Sequence, residues 1–326
     1  MTGITLLGLG SSIGAAAAAN FGYFSGGYTG ANVATTDRLD FAADTTTQVT
    51  KGALSAARRQ LSGYNSATIG YVSSGFEAAR VTGSDGLTFS TDTTTMVTKG
   101  VLTVASNNTG STNSSTIGYT TGMDTGATPF GTTSNGLTFS TDTTAQVTKG
   151  ALNVAMSLTQ GANSSTIGYW AGGTTGTYGG ELSTTEDDAL TFSTDTTTMV
   201  TKGALVLARH YAVAYNSSTL AYYSGGRTSG GAASTTTCNS LTFSTDTTGM
   251  VTKGALTGAF DSQGAVNSSD LGYGAGGQTN NDGTYISTNN GLTFSTDTTA
   301  QVTKGVLSQA RGFLAGFQGG SGTQLI

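Results

Sequence analysis

One phrase recurs six times along this chain of 326 residues. It reads Leu87-Thr88-Phe89-Ser90-Thr91-Asp92-Thr93-Thr94-Thr95-Met96-Val97-Thr98-Lys99-Gly100, and its Lys-Gly pair returns at Lys51, Lys149, Lys202, Lys253 and Lys304. The intervals between successive pairs are 48, 50, 53, 51 and 51 residues. A period near fifty restricts the chain to architectures in which each unit is one supersecondary element that buries its apolar face against its neighbours.

Within a unit the periodicity is that of strands. Leu87 and Phe89 alternate with Thr88 and Ser90, the period-2 pattern of a half-buried strand. Upstream lies a tyrosine-centred run, Ile69-Gly70-Tyr71-Val72-Ser73-Ser74-Gly75, echoed as Phe21-Gly22-Tyr23-Phe24-Ser25-Gly26-Gly27 and in every later unit. Downstream, Asp92-Thr93-Thr94 reads as a turn whose Asp bonds its local backbone, and 96–102 reads as a β-branched return strand. A segment rich in small residues, such as Gln60-Leu61-Ser62-Gly63-Tyr64, precedes each tyrosine strand. It suits an innermost strand crowded about an axis. Four strands per fifty residues, six times over, predict an all-β, six-bladed β-propeller. The final run Arg311-Gly312-Phe313-Leu314-Ala315-Gly316-Phe317 aligns with the innermost strand of unit two. It is therefore expected to complete the first blade, which N- and C-terminal strands then share. The domains follow: a short arm at 1–20 and the propeller at 21–326.

Charge and cysteine content narrow the function classes. Charged residues make up 10% of the chain, the formal net charge is −5, and all six lysines lie in the Lys-Gly pairs. No basic face for nucleic acid is expected. Cys238 is the single cysteine, which excludes an internal disulfide and fits assembly in a reducing cytoplasm. The apolar start, MTGITLLGLGSSIGAAAAAN, has no basic residue before Arg38 and is broken by Gly and Ser. It reads as a surface strand or as a docking arm carrying Ile4, Leu6, Leu7, Leu9 and Ile13, rather than a signal peptide or a membrane-inserted helix.

The pattern Tyr-x-x-Gly-Gly, then an aromatic, an Asp turn and a return strand, resembles the kelch repeat. The double glycine stands at Gly26-Gly27, Gly172-Gly173, Gly225-Gly226 and Gly276-Gly277, and becomes Ser74-Gly75 and Gly122-Met123 in units two and three. The usual outer-strand Trp is absent, and Arg58, Arg209 and Arg311 fall where kelch often carries Arg. In its Gly/Thr/Ser-rich, near-identical units the chain is similar to kelch-like virion structural proteins of tailed phages, particularly those of cyanobacteria. That resemblance implies a virion-located tail fibre or other tail-attached component. It would be assembled in the host cytoplasm, present in many copies and in contact with other virion proteins.

Catalytic chemistry finds little material. With one histidine, His210, and one thiol, no His/Cys metal cluster or copper site can form. No metal or cofactor is expected, and a Ser-His-Asp triad would have to use His210. Ser90-Thr91-Asp92-Thr93-Thr94 also resembles the Asp-box of sialidase propellers, but three glutamates and seven scattered arginines supply no paired constellation for glycoside hydrolysis. The six turn aspartates could be read as calcium ligands, with turn stabilisation the simpler account, and the lysines as snorkelling stems on outer strands.

The units differ most between the tyrosine strand and the next strand, at 28–37, 76–85, 123–135, 174–188, 227–239 and 278–290. Propeller geometry gathers these six loops on one face, and loops on a rigid scaffold commonly carry binding. Tyr28, Phe76, Phe130, Tyr178, Asp187, Asp188, Arg227 and Tyr285 are the candidate ligand-binding residues. Aromatics beside Asn, Asp and Thr suit a sugar ring such as a host-surface glycan; the competing reading is that they pin the long loops onto the blades in a purely architectural role, and no enzymatic activity is expected. Two alternatives stand beside this reading: a free lectin-like propeller and a sialidase-like hydrolase. Trp170, inside a strand, reads as core.

Overall fold

The computed structural model describes residues 20–127, 130–176, 182–229, 233–279 and 283–319. The arm with Ile4, Leu6, Leu7, Leu9 and Ile13, and the loop residue Tyr178, lie outside them. The described chain is a six-bladed β-propeller. Blade 2 shows the plan, its antiparallel strands running from axis to rim as Ser62–Asn65, Ile69–Ser73, Ser84–Thr88 and Val97–Thr98. Blade 1 is built as expected from both ends of the chain. Its strands are Ala315–Gly319, Phe21–Ser25, Thr36–Asp40 and Val49–Lys51, with Phe317 opposite Tyr23 and Gly319 opposite Phe21. The inner strands neighbour one another in a closed circle, the last blade against the first.

The recurring residues of the sequence meet at the boundaries between blades. Tyr71 of blade 2 stacks on Phe139 of blade 3 at 5.3 Å and donates its hydroxyl to Asp142 at 2.9 Å. Lys99 of blade 2 reaches the same Asp142 carboxylate at 2.8 Å, and the Gly100 N–H donates to the Asp142 carbonyl at 2.7 Å. The same clasp joins Tyr119 and Lys149 to Asp195, Tyr169 and Lys202 to Asp246, and Tyr222 and Lys253 to Asp297. Tyr273 and Lys304 on Asp44 close the circle. At Asp92, Arg38 joins Tyr23 and Lys51. The Lys-Gly glycine is required by this approach: a Cβ on Gly52 would collide with the Thr94 carbonyl of the next blade.

These clasps correct four expectations. The turn aspartate spends its carboxylate on the neighbouring blade rather than on its own backbone, and the lysine stem ends in an ion pair rather than in solvent. The phenylalanine leaves the third strand and opens a single 3-10 turn, Phe89–Thr91 in blade 2, which turns its ring onto the preceding tyrosine. The return strand is only two or three residues long, Val97–Thr98 in blade 2 and Val147–Lys149 in blade 3, because Lys and Gly bind the next blade and draw the chain out of the sheet.

The inner strands are as crowded as their small residues suggested. A Cβ on Gly63 would meet the Gly316 carbonyl, and one on Gly161 the Ser111 carbonyl. Between adjacent blades the core pairs a large side chain with a small one across each boundary. Trp170 fills space beside Thr112, Tyr223 packs with Ala162, and Tyr215 lies over Gly272. Trp170 is thus core, as read from the sequence, with 0% exposure.

Candidate functional site

Ser62, Ser73 and Ser84 lie side by side at one end of their strands. The loops between second and third strands and the entries to the inner strands therefore open on one face. On that face each blade places one non-glycine residue at positive φ just before its inner strand: Gln60, Asn108, Leu158, Tyr211, Ser262 and Phe313, with φ between 54° and 60°. Their backbones form a closed hydrogen-bonded circle about the axis. Gln60 N–H donates to Phe313, Phe313 to Ser262, Ser262 to Tyr211, Tyr211 to Leu158, Leu158 to Asn108 and Asn108 to Gln60, at 2.8–3.4 Å.

Left-handed backbone costs a side-chain-bearing residue about 1–2 kcal/mol, and of these six only Asn tolerates it readily. The closed circle of backbone hydrogen bonds offsets that cost in every blade and holds six unlike side chains around the axis mouth. The mouth mixes polar and aromatic side chains. Gln60 brings a carboxamide whose Oε1 accepts from Asn107 at 2.8 Å. Phe313 neighbours Gln60 in the circle and Tyr211 stands across from Gln60, the two rings meeting edge to face at 5.4 Å with Leu158 beside Tyr211. Gln60 Nε2 reaches across to the Tyr211 hydroxyl at 3.5 Å. The Oδ1 of Asn108 is buried without a partner among the described residues. Beneath the ring a cavity of about 50 Å³ has room for a water or two, so a ligand would rest on the mouth rather than enter it.

Beside the mouth runs an aromatic row. Tyr285 packs edge-on against Tyr28 at 5.7 Å, and the Arg59 guanidinium lies over Tyr28 at 4.3 Å and over Phe76 at 5.1 Å. Tyr285 borders Gly312, the residue before Phe313, so row and mouth are continuous. Burial, with Tyr28 next to it, pushes the Tyr285 phenol up, keeping it a neutral donor. Three of the expected ligand residues, Tyr28, Phe76 and Tyr285, are thus brought together, each half-buried.

Of the other described candidates, Asp187, Asp188 and Phe130 are not part of this surface, whereas the Arg227 guanidinium lies over the Tyr211 ring of the mouth at 5.1 Å. Asp187 and Asp188 belong to the third strand of blade 4, Asp187–Thr191, and are 0% exposed. The loop ends earlier than its sequence boundary suggested, and Asp188 caps the N–H groups of Asn153 and Val154. Arg227 is tied by two bonds to Asp261, at 3.2 and 2.8 Å. Phe130 is 4% exposed and serves as a loop anchor. In the longer loops of blades 4 and 6, two-residue ribbons that the sequence reading did not foresee pair Thr174–Thr175 with Leu182–Ser183 and Gln278–Thr279 with Thr284–Tyr285. The first brings Ser183 Oγ to 2.9 Å from His210 Nδ1. Sequence reasoning missed the axis ring because it sought variation in the long loops. The available signal was a single repeat position holding six different residues.

Among the described residues no group of three or more His, Cys, Asp or Glu could hold a metal ion, and no helix is long and apolar enough to cross a membrane. No family model and no curated protein matches the chain. Among solved structures it is similar to that of YjhT, a propeller, with a TM-score of 0.67 over 88% of this chain and 97% of that one, at 10% identity. A likeness at that identity shows the shared fold alone.

Proposed function

We propose that this chain is a non-enzymatic structural component of a phage virion, attached at the tail, whose loop face meets a host-surface glycan. The observation that carries the binding half is the axis mouth, where strained backbone holds six unlike side chains on an otherwise repetitive ring. A mouth that sets aromatic rings beside a carboxamide suits a sugar, whose apolar face stacks while its hydroxyls exchange hydrogen bonds. The virion half is supported by the Gly/Thr/Ser-rich kelch-like units. Partners are other virion proteins, in many copies, with the arm at 1–20 as the docking segment.

The glycan is tested with the purified ring on an array of bacterial surface glycans. Binding that is lost in Tyr285→Ala and in Tyr211→Ala, with the melting temperature within a few degrees, is the expected result; no binding to any glycan ends the claim. The virion assignment is tested by mass spectrometry of purified particles, which should contain this chain at fixed stoichiometry. Deleting residues 2–18 should abolish incorporation and leave the ring folded. A binding ring absent from particles would instead favour the lectin reading. Turnover of a chromogenic sialoside, or labelling of Ser183 by a fluorophosphonate, would favour an enzyme.

A further inference from the structure

Three blades carry an arginine two residues before the axis ring, at Arg311, Arg58 and Arg209. In blade 1 its bonds are complete. Arg311 donates from Nε to Gly26 O, from Nη2 to Phe24 O and from Nη1 to Asp37 Oδ2, at 2.8–2.9 Å. Asp37 also accepts the backbone N–H and the hydroxyl of Ser308. Blade 2 repeats the acid pair, with Arg58 at 3.2 Å from Asp85 and Asp85 accepting the N–H and hydroxyl of Ser55, although Arg58 Nε has no partner among the described residues.

Blade 5 has the arginine without the acid. Arg209 is 0% exposed, and its Nη2 donates to Tyr223 O at 2.8 Å, the counterpart of the Phe24 bond. The place of Asp37 and Asp85 is taken by Asn239, and that of Ser308 and Ser55 by Val206. Arg209 Nε and Nη1 and Asn239 Oδ1 have no hydrogen-bond partner among the described residues. Burial lowers the Arg209 pKa to about 10, so the group is still a cation at neutral pH. Burial also pushes the neighbouring Cys238 thiol up to about 11, so it is not the counter-ion there. A buried charge without an opposite charge is costly, and the two sister blades show what belongs at this position: a carboxylate oxygen.

We propose that Arg209 forms the floor of a binding site for a small monovalent anion, a chloride or a carboxylate of similar reach. The anion supplies the charge that Asp37 and Asp85 supply in blades 1 and 2, and sits against the unpartnered Nε and Nη1 of Arg209 beside the Asn239 carboxamide. The Val206 N–H, whose counterparts on Ser308 and Ser55 donate to those aspartates, supplies a second donor. Val206 is 58% exposed, which puts the site one residue from solvent.

The test is thermal unfolding of the full chain in sodium chloride and in sodium acetate, each against sodium methanesulfonate at matched ionic strength. The expected result is a saturable rise in melting temperature of about 2 °C with chloride or acetate. Asn239→Asp, which rebuilds the sister-blade pair, should start higher and lose the response, and Arg209→Met should lose it too. A response to acetate alone identifies a carboxylate site. No saturable rise with either anion, or an Asn239→Asp variant that keeps the wild-type response, overturns the proposal. The Asn239→Asp comparison decides if Arg209→Met does not fold.

Discussion

Asp187 sits at 0% exposure with neither carboxylate oxygen hydrogen-bonded among the described residues. Burial, then the charges of Asp188 and Asp246, with Glu186 adding to them, raise its pKa well above the usual carboxylate range against the pull of Lys202. From the next blade it is faced by Tyr223, whose phenol burial likewise pushes up. A carboxyl whose folded pKa is raised binds its proton more tightly in the native state. Its contribution is complete below about pH 3.9, the unfolded value, and stability falls as pH rises from there toward the folded pKa. Asp187→Asn should therefore melt higher than wild type at pH 7.5 and match it near pH 4, as differential scanning calorimetry at the two pH values would show. The clasp at Asp92 carries the opposite sign. Burial opposes ionisation of Asp92, but the bonds from Lys51, Tyr23 and Arg38 outweigh it and hold the carboxyl below its usual range. The stability it contributes is present above about pH 3.9 and is lost as pH falls through the lower folded value. Asp142→Ala, which leaves Lys99 and Tyr71 without their acceptor, should cost about 2–4 kcal/mol, and Tyr71→Phe about 1 kcal/mol, by denaturant titration. Neither group was legible from the sequence. Asp142 and Tyr71 look like a turn residue and a strand residue because their meeting depends on how blades abut, and Asp187 looks like a loop residue because it closes an acidic loop.

The blades are built from one repeated phrase, yet their inner faces are not interchangeable. Trp170 against Thr112, Tyr223 against Ala162 and Tyr215 against Gly272 make each boundary a different fit, so a blade has one correct neighbour on each side. Trp170→Ala should cost about 3–5 kcal/mol through the cavity it leaves. Thr112→Tyr should cost about 1–3 kcal/mol by overfilling the same space. The double variant should lose less than the sum, because the new ring enters the emptied volume; strict additivity in denaturant titrations would show that the two do not share it. At this level the sequence was most informative: four strands, their order from axis to rim, and the small residues of the inner strand all follow from period-2 patterning. The outer strand was read too long because Val101 and Leu102 continue its apolar pattern, and nothing local announces that Lys99 and Gly100 are engaged elsewhere.

The closure of the ring was legible because Phe313 to Phe317 repeats a pattern with no blade of its own left to fill. In the fold, Ala315 and Phe317 pack in one cluster with Tyr23, Leu61 and Val72, a core assembled from both ends of the chain and from blade 2. Removing residues 311–326 should leave that cluster open on one side. The truncated chain is expected to lose its single cooperative melting transition and to bind a hydrophobic dye, while a sharp, unchanged transition would show that the strand is dispensable. The axis ring escaped sequence reading for another reason: positive φ is a property of backbone path, and Leu, Tyr and Phe are residues least associated with it.

The shared first sheet also orders events in time. Blades 2 to 6 can each assemble their four strands as they leave the ribosome, but blade 1 waits for its inner strand until residue 319 has been made. Until then the nascent protein is an arc with Phe21–Ser25 unpaired on its axial side, and Ala315–Gly319 is the strand that turns it into a closed particle.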